Sequence, residues 1–245
     1  MPLYRTFTQK FVIIAVSAVA LQVPASNAWS QSSCSSDGQH TPTALIERFI
    51  SADCEACWTN PAAAKTKPHE LALDWIVPSF RGDEAALSAA ANRDALHRLQ
   101  TLNLPATKES FNLRRAVLLN PLPLRVARGV ALGGYMGASI ALTPRPGSPL
   151  TNAPMTAWLV MIEDIPAGTD GTKVARQLVR NSLEIRWNVA GTKLAPTITA
   201  PWQQFYESRP MSIPAGANPD RLRVVGWVED LNGKVITSAA SVCVE

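Results

Sequence analysis

Apolar runs separated by turn residues fill most of the chain, and they predict a protein rich in β-strands. Runs of this kind, bounded by proline, glycine or asparagine, are typical of buried strands. Two of them flank Leu231-Asn232-Gly233, and an Asn-Gly pair between β-rich segments is a strong signal for a hairpin. The predicted strands are residues 43–50, 71–77, 124–130, 135–142, 155–162, 174–188, 221–229 and 234–244.

Helices are predicted only before residue 120. Residues 82–100 repeat apolar side chains four residues apart, which places them on one face of a helix. Residues 59–67 form a shorter helix with a proline in its first turn, and residues 111–119 form another. Pro121 and Pro123 then mark a domain boundary. The expected fold is α+β, with one domain at 29–120 and an all-β, sandwich- or barrel-like domain at 121–245.

Residues 1–28 have the layout of a secretory signal peptide. Arg5 and Lys10 precede an apolar stretch at 11–21, and Ser26-Asn27-Ala28 has the small residues of a cleavage site. The stretch is too short to span a bilayer comfortably, which favours cleavage over the alternative of an uncleaved N-terminal anchor. No later run is long and apolar enough for a transmembrane helix. We therefore expect a periplasmic or secreted bacterial protein, with no membrane contact after cleavage of the signal peptide.

Composition narrows the class of partner. The formal net charge of the chain is +4 at pH 7, and the predicted signal peptide contributes two basic residues and no acidic one, so the mature protein is only mildly basic. Such a charge argues against nucleic acid as a partner. With 47% apolar residues, the chain has enough material for a substantial core. The sequence carries no signal for a particular oligomeric state.

The segment with chemical meaning is Cys54-Glu55-Ala56-Cys57, which follows the apolar run at 44–50. A strand that delivers a C-x-x-C to the start of a helix is how thioredoxin-like proteins expose a redox-active dithiol. Backbone N–H groups and the helix dipole stabilise a thiolate at that position. We expect Cys54 to be the attacking thiolate and Cys57 to resolve the mixed disulfide.

All four cysteines lie after the predicted cleavage site, and an even number suggests pairing in an exported protein. Three connectivities are open. We favour a bond between Cys54 and Cys57 and a structural disulfide between Cys34 and Cys243, which closes a long loop. The alternative is that Cys34 is an unpaired thiol in a terminal tail.

Three residues beside the pair are candidates for tuning it. The carboxylates of Asp53 and Glu55 flank Cys54 and oppose a further negative charge, which favours the disulfide and predicts a poor oxidant. Trp58 directly follows the pair, and it either lines a shallow peptide-binding surface or packs against the helix.

Two other interpretations of the pair stay open. In the first, Cys54 and Cys57 form an inert structural bond. In the second, they hold copper or zinc with His69 as a third ligand, although no second C-x-x-C or pair of histidines follows. The chain has no phosphate-binding loop and no zinc-protease or serine-hydrolase motif, so we expect neither a cofactor nor a metal.

The signal peptide, the C-x-x-C segment and the β-rich second half together resemble a family of exported bacterial thioredoxin-like proteins of unknown function. The segment 45–57, LIERFISADCEAC, matches the family's strand and cysteine pair, and 71–75, LALDW, its second strand. Residues 224–240 match its final hairpin. A Gly-x6-Leu-x2-Asn element of the family is matched by Gly171, Leu178 and Asn181.

Two features depart from that family. Trp58-Thr59-Asn60-Pro61 stands where the family has Pro-Pro-Ala-Asp. The family's Thr-Pro-Gln, which resembles the proline loop beside the dithiol of thioredoxins, is absent. The resemblance implies a thioredoxin-like unit at 29–120 with a reduced second half.

The expected function is that of a thiol–disulfide oxidoreductase that uses Cys54 and Cys57 on protein thiols or disulfides. The alternative is a non-catalytic envelope protein in which both cysteine pairs are structural and the β-rich domain binds a partner.

Overall fold

The computed structural model describes residues 34–62, 65–143, 145, 153–187 and 205–243. The predicted signal peptide at 1–28 lies outside these ranges. Within them, no helix is long and apolar enough to cross a membrane.

The protein is rich in β-strands, with few helices and two sheets. The helices are α1 (Glu55–Thr59) and α2 (Arg93–Thr101), and α2 follows two short 3₁₀ turns at Gly82–Glu84 and Ser88–Ala90. The strands are β1 (Cys34–Ser35), β2 (Ala44–Ser51), β3 (Glu70–Val77), β4 (Ser110–Ala116), β5 (Leu124–Leu132), β6 (Tyr135–Leu142), β7 (Met155–Ile165), β8 (Arg176–Trp187), β9 (Tyr206–Ser212), β10 (Leu222–Glu229), β11 (Val235–Ala240) and β12 (Val242–Cys243).

The larger sheet has seven strands in the order β11-β10-β7-β8-β3-β2-β4. Strand β3 runs parallel to both β2 and β8, and every other neighbouring pair is antiparallel. Strands from both sides of residue 120 share this sheet, so the two predicted domains are joined through the β3–β8 contact. That contact brings the second half of the chain next to the strands that carry the C-x-x-C.

The smaller sheet has the order β12-β1-β5-β6-β9 and packs on one face of the larger sheet. Apolar side chains of β5 and β6, such as Val126 and Ile140, join those of β7 and β10 in one core. Gly226 of β10 lies where the sheets approach most tightly: a Cβ atom there would lie 2.8 Å from Val126 Cγ1 and 2.9 Å from Ile140 Cδ1. The β-rich half is therefore sandwich-like.

The opposite face of the larger sheet is covered by α2 and holds a buried ion cluster. Arg98 of α2 donates to Glu47 of β2 at 2.7 Å and to Glu229 of β10 at 2.6 Å. Arg115 of β4 contacts the same two carboxylates. The Arg98 guanidinium also lies 4.5 Å from the ring centre of Trp158. Because every charge faces an opposite charge, the cluster holds α2 on the sheet without leaving a lone buried ion.

The structure confirms most predicted strands and corrects the helices. Residues 82–100 form a helix only from Arg93, because the Asn92 side chain caps it by accepting the Asp94 N–H. Residues 59–67 were predicted as a helix, but α1 ends at Thr59, since Asn60 takes the extended conformation that residues before proline prefer. Residues 111–119 do not form a helix, because β4 pairs along most of its length with β2. Strand β9, a largely polar edge strand, was not predicted.

Replacement of Gly226 by alanine is expected to lower the free energy of unfolding by about 1–3 kcal/mol, because the added methyl group has no space between the sheets. The measurement is urea unfolding followed by tryptophan fluorescence. Gly137→Ala is the matched control, since a Cβ at Gly137 of β6 has nothing within 4 Å. Equal effects of the two substitutions would contradict the tight approach of the sheets.

Acid is expected to weaken the α2 cluster through Glu229. Burial alone would raise the pKa of Glu229, but Arg98 and Arg115 lower this pKa below its usual value of 4.5. The resulting stability is present above the unfolded-state pKa and is lost as the pH falls through the folded-state pKa. In urea unfolding from about pH 7 to pH 3, the wild type should therefore lose more stability than a Glu229→Gln variant. Parallel pH profiles of the two proteins would contradict this assignment.

Candidate functional site

The C-x-x-C lies where β2 passes into α1, and its two cysteines form a disulfide bond. Cys54 is the N-cap of α1: its Sγ accepts the N–H of Cys57 at 3.2 Å, and its carbonyl accepts the same N–H at 3.1 Å. A backbone donor aimed at a sulfur stabilises negative charge on that sulfur once the bond is reduced. The local geometry therefore favours Cys54 as the thiolate of the pair.

Both cysteines are half-buried, and Asp53, Glu55 and Ala56 around them are exposed. The disulfide is thus at the surface of the protein, at the edge of an apolar cluster against which Cys57 packs. A thiol from solvent or from another protein has access to this region, in contrast to a bond enclosed in the core.

The Asp53 carboxylate is held by the segment that follows β3. Ser79 Oγ donates to Asp53 Oδ1 at 3.0 Å, and Arg81 Nε lies 3.9 Å from the same oxygen. The Arg81 cation offsets part of the Asp53 charge, although the pair is solvent-exposed and its interaction is screened. The expectation that the protein is a poor oxidant took account only of the carboxylates of Asp53 and Glu55 and not of Arg81. It therefore stays a prediction.

A buried arginine from β8 fixes the far end of α1. Arg176 Nη2 donates to the carbonyls of Cys57 and Asn60, each at 3.2 Å, and to that of Trp58. Its Nη1 lies 3.3 Å from Asp74 Oδ1. The guanidinium carbon lies 5.1 Å from the ring centre of Trp58. Arg176 therefore satisfies helix-end carbonyls that have no partner within α1.

Asp74 is the anion that accompanies this arginine. It is fully buried in β3 and also accepts hydrogen bonds from Arg48 Nη2 at 2.7 Å and from the Gln177 N–H at 2.9 Å. Desolvation lowers the pKa of Arg176, and the Asp74 carboxylate opposes that shift. Residues of β2, β3 and β8 thus form one polar cluster beneath the cysteine pair.

Trp58 both packs and lines a surface. It is 4% exposed, and its indole Nε1 donates to the carbonyl of Asp170 at 2.8 Å, which fixes the ring. One side of the ring forms a wall of a cleft of about 270 Å³ next to α1. Trp58 is therefore packed into the protein and also borders a cleft, and its role in peptide binding stays a prediction.

The second disulfide joins Cys34 of β1 to Cys243 of β12, with a sulfur–sulfur distance of 2.02 Å and a sequence separation of 209. The alternative of an unpaired Cys34 is therefore wrong. Strand β1 pairs with β12 on one side and with β5 on the other. Two disulfides are typical of proteins outside the cytoplasm. The structural role of this bond stays a prediction.

The metal interpretation through His69 is wrong. His69 precedes β3 at the end of the sheet where β2 begins, whereas the cysteine pair follows the other end of β2. Its ring lies 5.5 Å from that of His40. Among the described residues, no three side chains of the types that bind metals come close enough together to hold an ion.

Four polar residues of the site could not be predicted from the sequence: Arg48, Ser79, Arg81 and Arg176. Asp74 could be predicted, because a carboxylate inside the apolar run at 71–77 needs a buried partner. No peptide bond of the described part of the chain is cis.

Comparison with solved structures gives a structural likeness at low sequence identity. No protein-family model matches the chain, and no curated protein matches it. Among solved structures, the chain is similar to HBP35 of Porphyromonas gingivalis, with a TM-score of 0.46 and 11% sequence identity over 84% of this chain and 76% of that one. A likeness this distant adds no argument about function, which rests on the residues around the disulfide.

Replacement of Arg176 by methionine is expected to lower the free energy of unfolding by about 2–4 kcal/mol, because the helix-end carbonyls lose their buried donor. Arg186→Met is the matched control on the same strand. Arg186 is exposed and contacts Glu184 at 3.2 Å, so its loss should change stability by less than about 0.5 kcal/mol. Urea unfolding with both disulfides oxidised measures the two effects, and similar losses would contradict the role of Arg176.

Proposed function

We propose that this protein is a thiol–disulfide oxidoreductase that acts through Cys54 and Cys57 in the periplasm or outside the cell. The observation that carries the proposal is a half-buried disulfide at a strand-to-helix junction, with the Cys57 N–H directed at Cys54 Sγ. The parallel strands β2 and β3, with α1 between them, supply the βαβ context in which a C-x-x-C acts in redox exchange. A thioredoxin-like unit formed by these elements is part of the proposal.

The reaction is an exchange of two electrons. In the reduced protein, the Cys54 thiolate attacks one sulfur of a substrate disulfide, so that a mixed disulfide forms and the other substrate sulfur leaves as a thiolate. Cys57 then loses its proton and attacks Cys54 Sγ, which restores the Cys54–Cys57 bond and releases the second substrate thiol. The substrate gains two electrons and two protons. A dithiol reductant of another protein or of the medium returns the pair to the reduced state.

The other candidate is a non-catalytic envelope protein in which both pairs are structural. The observation that favours it is the anchoring of α1. Arg176 donates to three backbone carbonyls at the end of this helix, and Trp58 is buried. In that case the β-rich half binds a partner, and the Cys54–Cys57 bond only closes the short helix.

Thiol labelling at graded redox potentials is the experiment that separates the two. We expect the Cys54–Cys57 bond to be reduced in the folded protein, at a potential nearer to about −270 mV than to about −120 mV, which matches the expected poor oxidant. A Cys57→Ser variant should accumulate mixed disulfides on Cys54, because no second thiol resolves them. Cys54→Ser is the control and should accumulate few.

The opposite result would be a pair that stays oxidised until the protein unfolds, with no mixed disulfide in either variant. That result would support the non-catalytic candidate. Mass spectrometry of labelled peptides assigns each thiol, and it also reports whether Cys34–Cys243 remains closed over the same range.

A further inference from the structure

The segment between β3 and α2 lies directly beside the cysteine pair. The Leu87 N–H donates to the Ala52 carbonyl at 2.9 Å, and Ser79 Oγ binds the Asp53 carboxylate. Phe80 directly follows Ser79 in this segment, and its side chain is completely exposed. A single exposed apolar side chain is ordinary, but an aromatic one beside a reactive bond is a candidate contact for a partner protein.

The cleft next to α1 lies between this segment and the second half of the chain. Its apolar walls come from Trp58, Leu87, Ala90, Ile165 and Leu178. Trp58 directly follows Cys57, and Cys57 packs against the same apolar cluster. The cleft and the cysteine pair therefore border the same apolar cluster.

The charges in the wall of the cleft are already paired within the protein. Arg180 donates to Glu163 at 2.7 Å, and Asp170 lies 3.4 Å from Arg221. An occupant gains nothing from a charge of its own and would lose its hydration. The volume of about 270 Å³ lies below the usual range for cofactors and suits one large apolar side chain.

We propose that Phe80 and the cleft bind apolar side chains of the polypeptide whose cysteine reacts with Cys54. The substrates are then extended or unfolded chains with leucine or phenylalanine near a cysteine, and charged small disulfides such as glutathione disulfide react poorly. This inference rests on the proposed function, since it assigns the substrate class of the same site.

The test compares two synthetic disulfide peptides that differ only in having leucine and phenylalanine, or aspartate and lysine, beside the cysteine. We expect the reduced wild type to react with the apolar peptide about tenfold faster. Phe80→Ser removes the exposed ring, and Ala89→Trp fills the mouth of the cleft from an exposed position. Both variants should lose most of that preference.

Two matched controls separate this surface from general effects. Leu119→Ser removes an equally exposed apolar side chain, and Ala116→Trp adds a ring at an exposed position, both at the end of β4 that pairs with Ala44, away from the cysteines. These controls should keep the tenfold preference. A wild type without preference, or site variants that keep it, would overturn the inference.

Binding of the same peptides with serine in place of cysteine distinguishes failure of the surface from failure of the chemistry. If the wild type reacts with no disulfide, the proposed function is wrong, and calorimetry with the serine peptides still decides the inference. Binding of the apolar peptide alone, weakened in Phe80→Ser and Ala89→Trp, supports the surface. Absent or equal binding of the two peptides overturns it.

Discussion

The site depends on the hydrogen bonds from Arg176 to the end of α1. A helix of five residues is too short to be stable through its own hydrogen bonds, and its last carbonyls have no partner within it. A buried guanidinium supplies several donors in one plane and places a positive charge at the negative end of the helix dipole. The position of Cys57, the orientation of Trp58 and one wall of the cleft all follow from where this arginine holds the helix.

Contacts from distant parts of the chain also change the charges around the two sulfurs. The carboxylates next to Cys54 along the chain oppose a thiolate, whereas Arg81, from the segment that follows β3, offsets part of the Asp53 charge. The balance of these charges is set by tertiary structure, and the sequence neighbours give only one side of it. The backbone N–H of Cys57 adds a donor that is local and was expected from the position of the motif.

The strands and the cysteine positions could be predicted because their signals are local. Apolar runs, the Gly133-Gly134 and Asn232-Gly233 turns and the C-x-x-C spacing each act over a few residues. Residues 82–100 were predicted to form one helix because their apolar spacing fits a helix. The helix begins only at Arg93, after its N-cap Asn92. Arg176 could not be assigned, since it meets Cys57 across a sequence separation of 119 residues.

The two buried charge clusters of the larger sheet differ in a way that bears on function. On the α2 face, Arg98 and Arg115 each contact both Glu47 and Glu229, so two cations are balanced by two carboxylates. On the face of α1, Arg176 contacts one carboxylate, Asp74, and otherwise backbone carbonyls, which carry only partial charges. Arg48 also contacts Asp74, so this second cluster joins β2, β3 and β8. The first cluster ties α2 to the sheet, whereas the second holds the end of the helix that carries Cys57 and Trp58, and it therefore fixes residues of the candidate site.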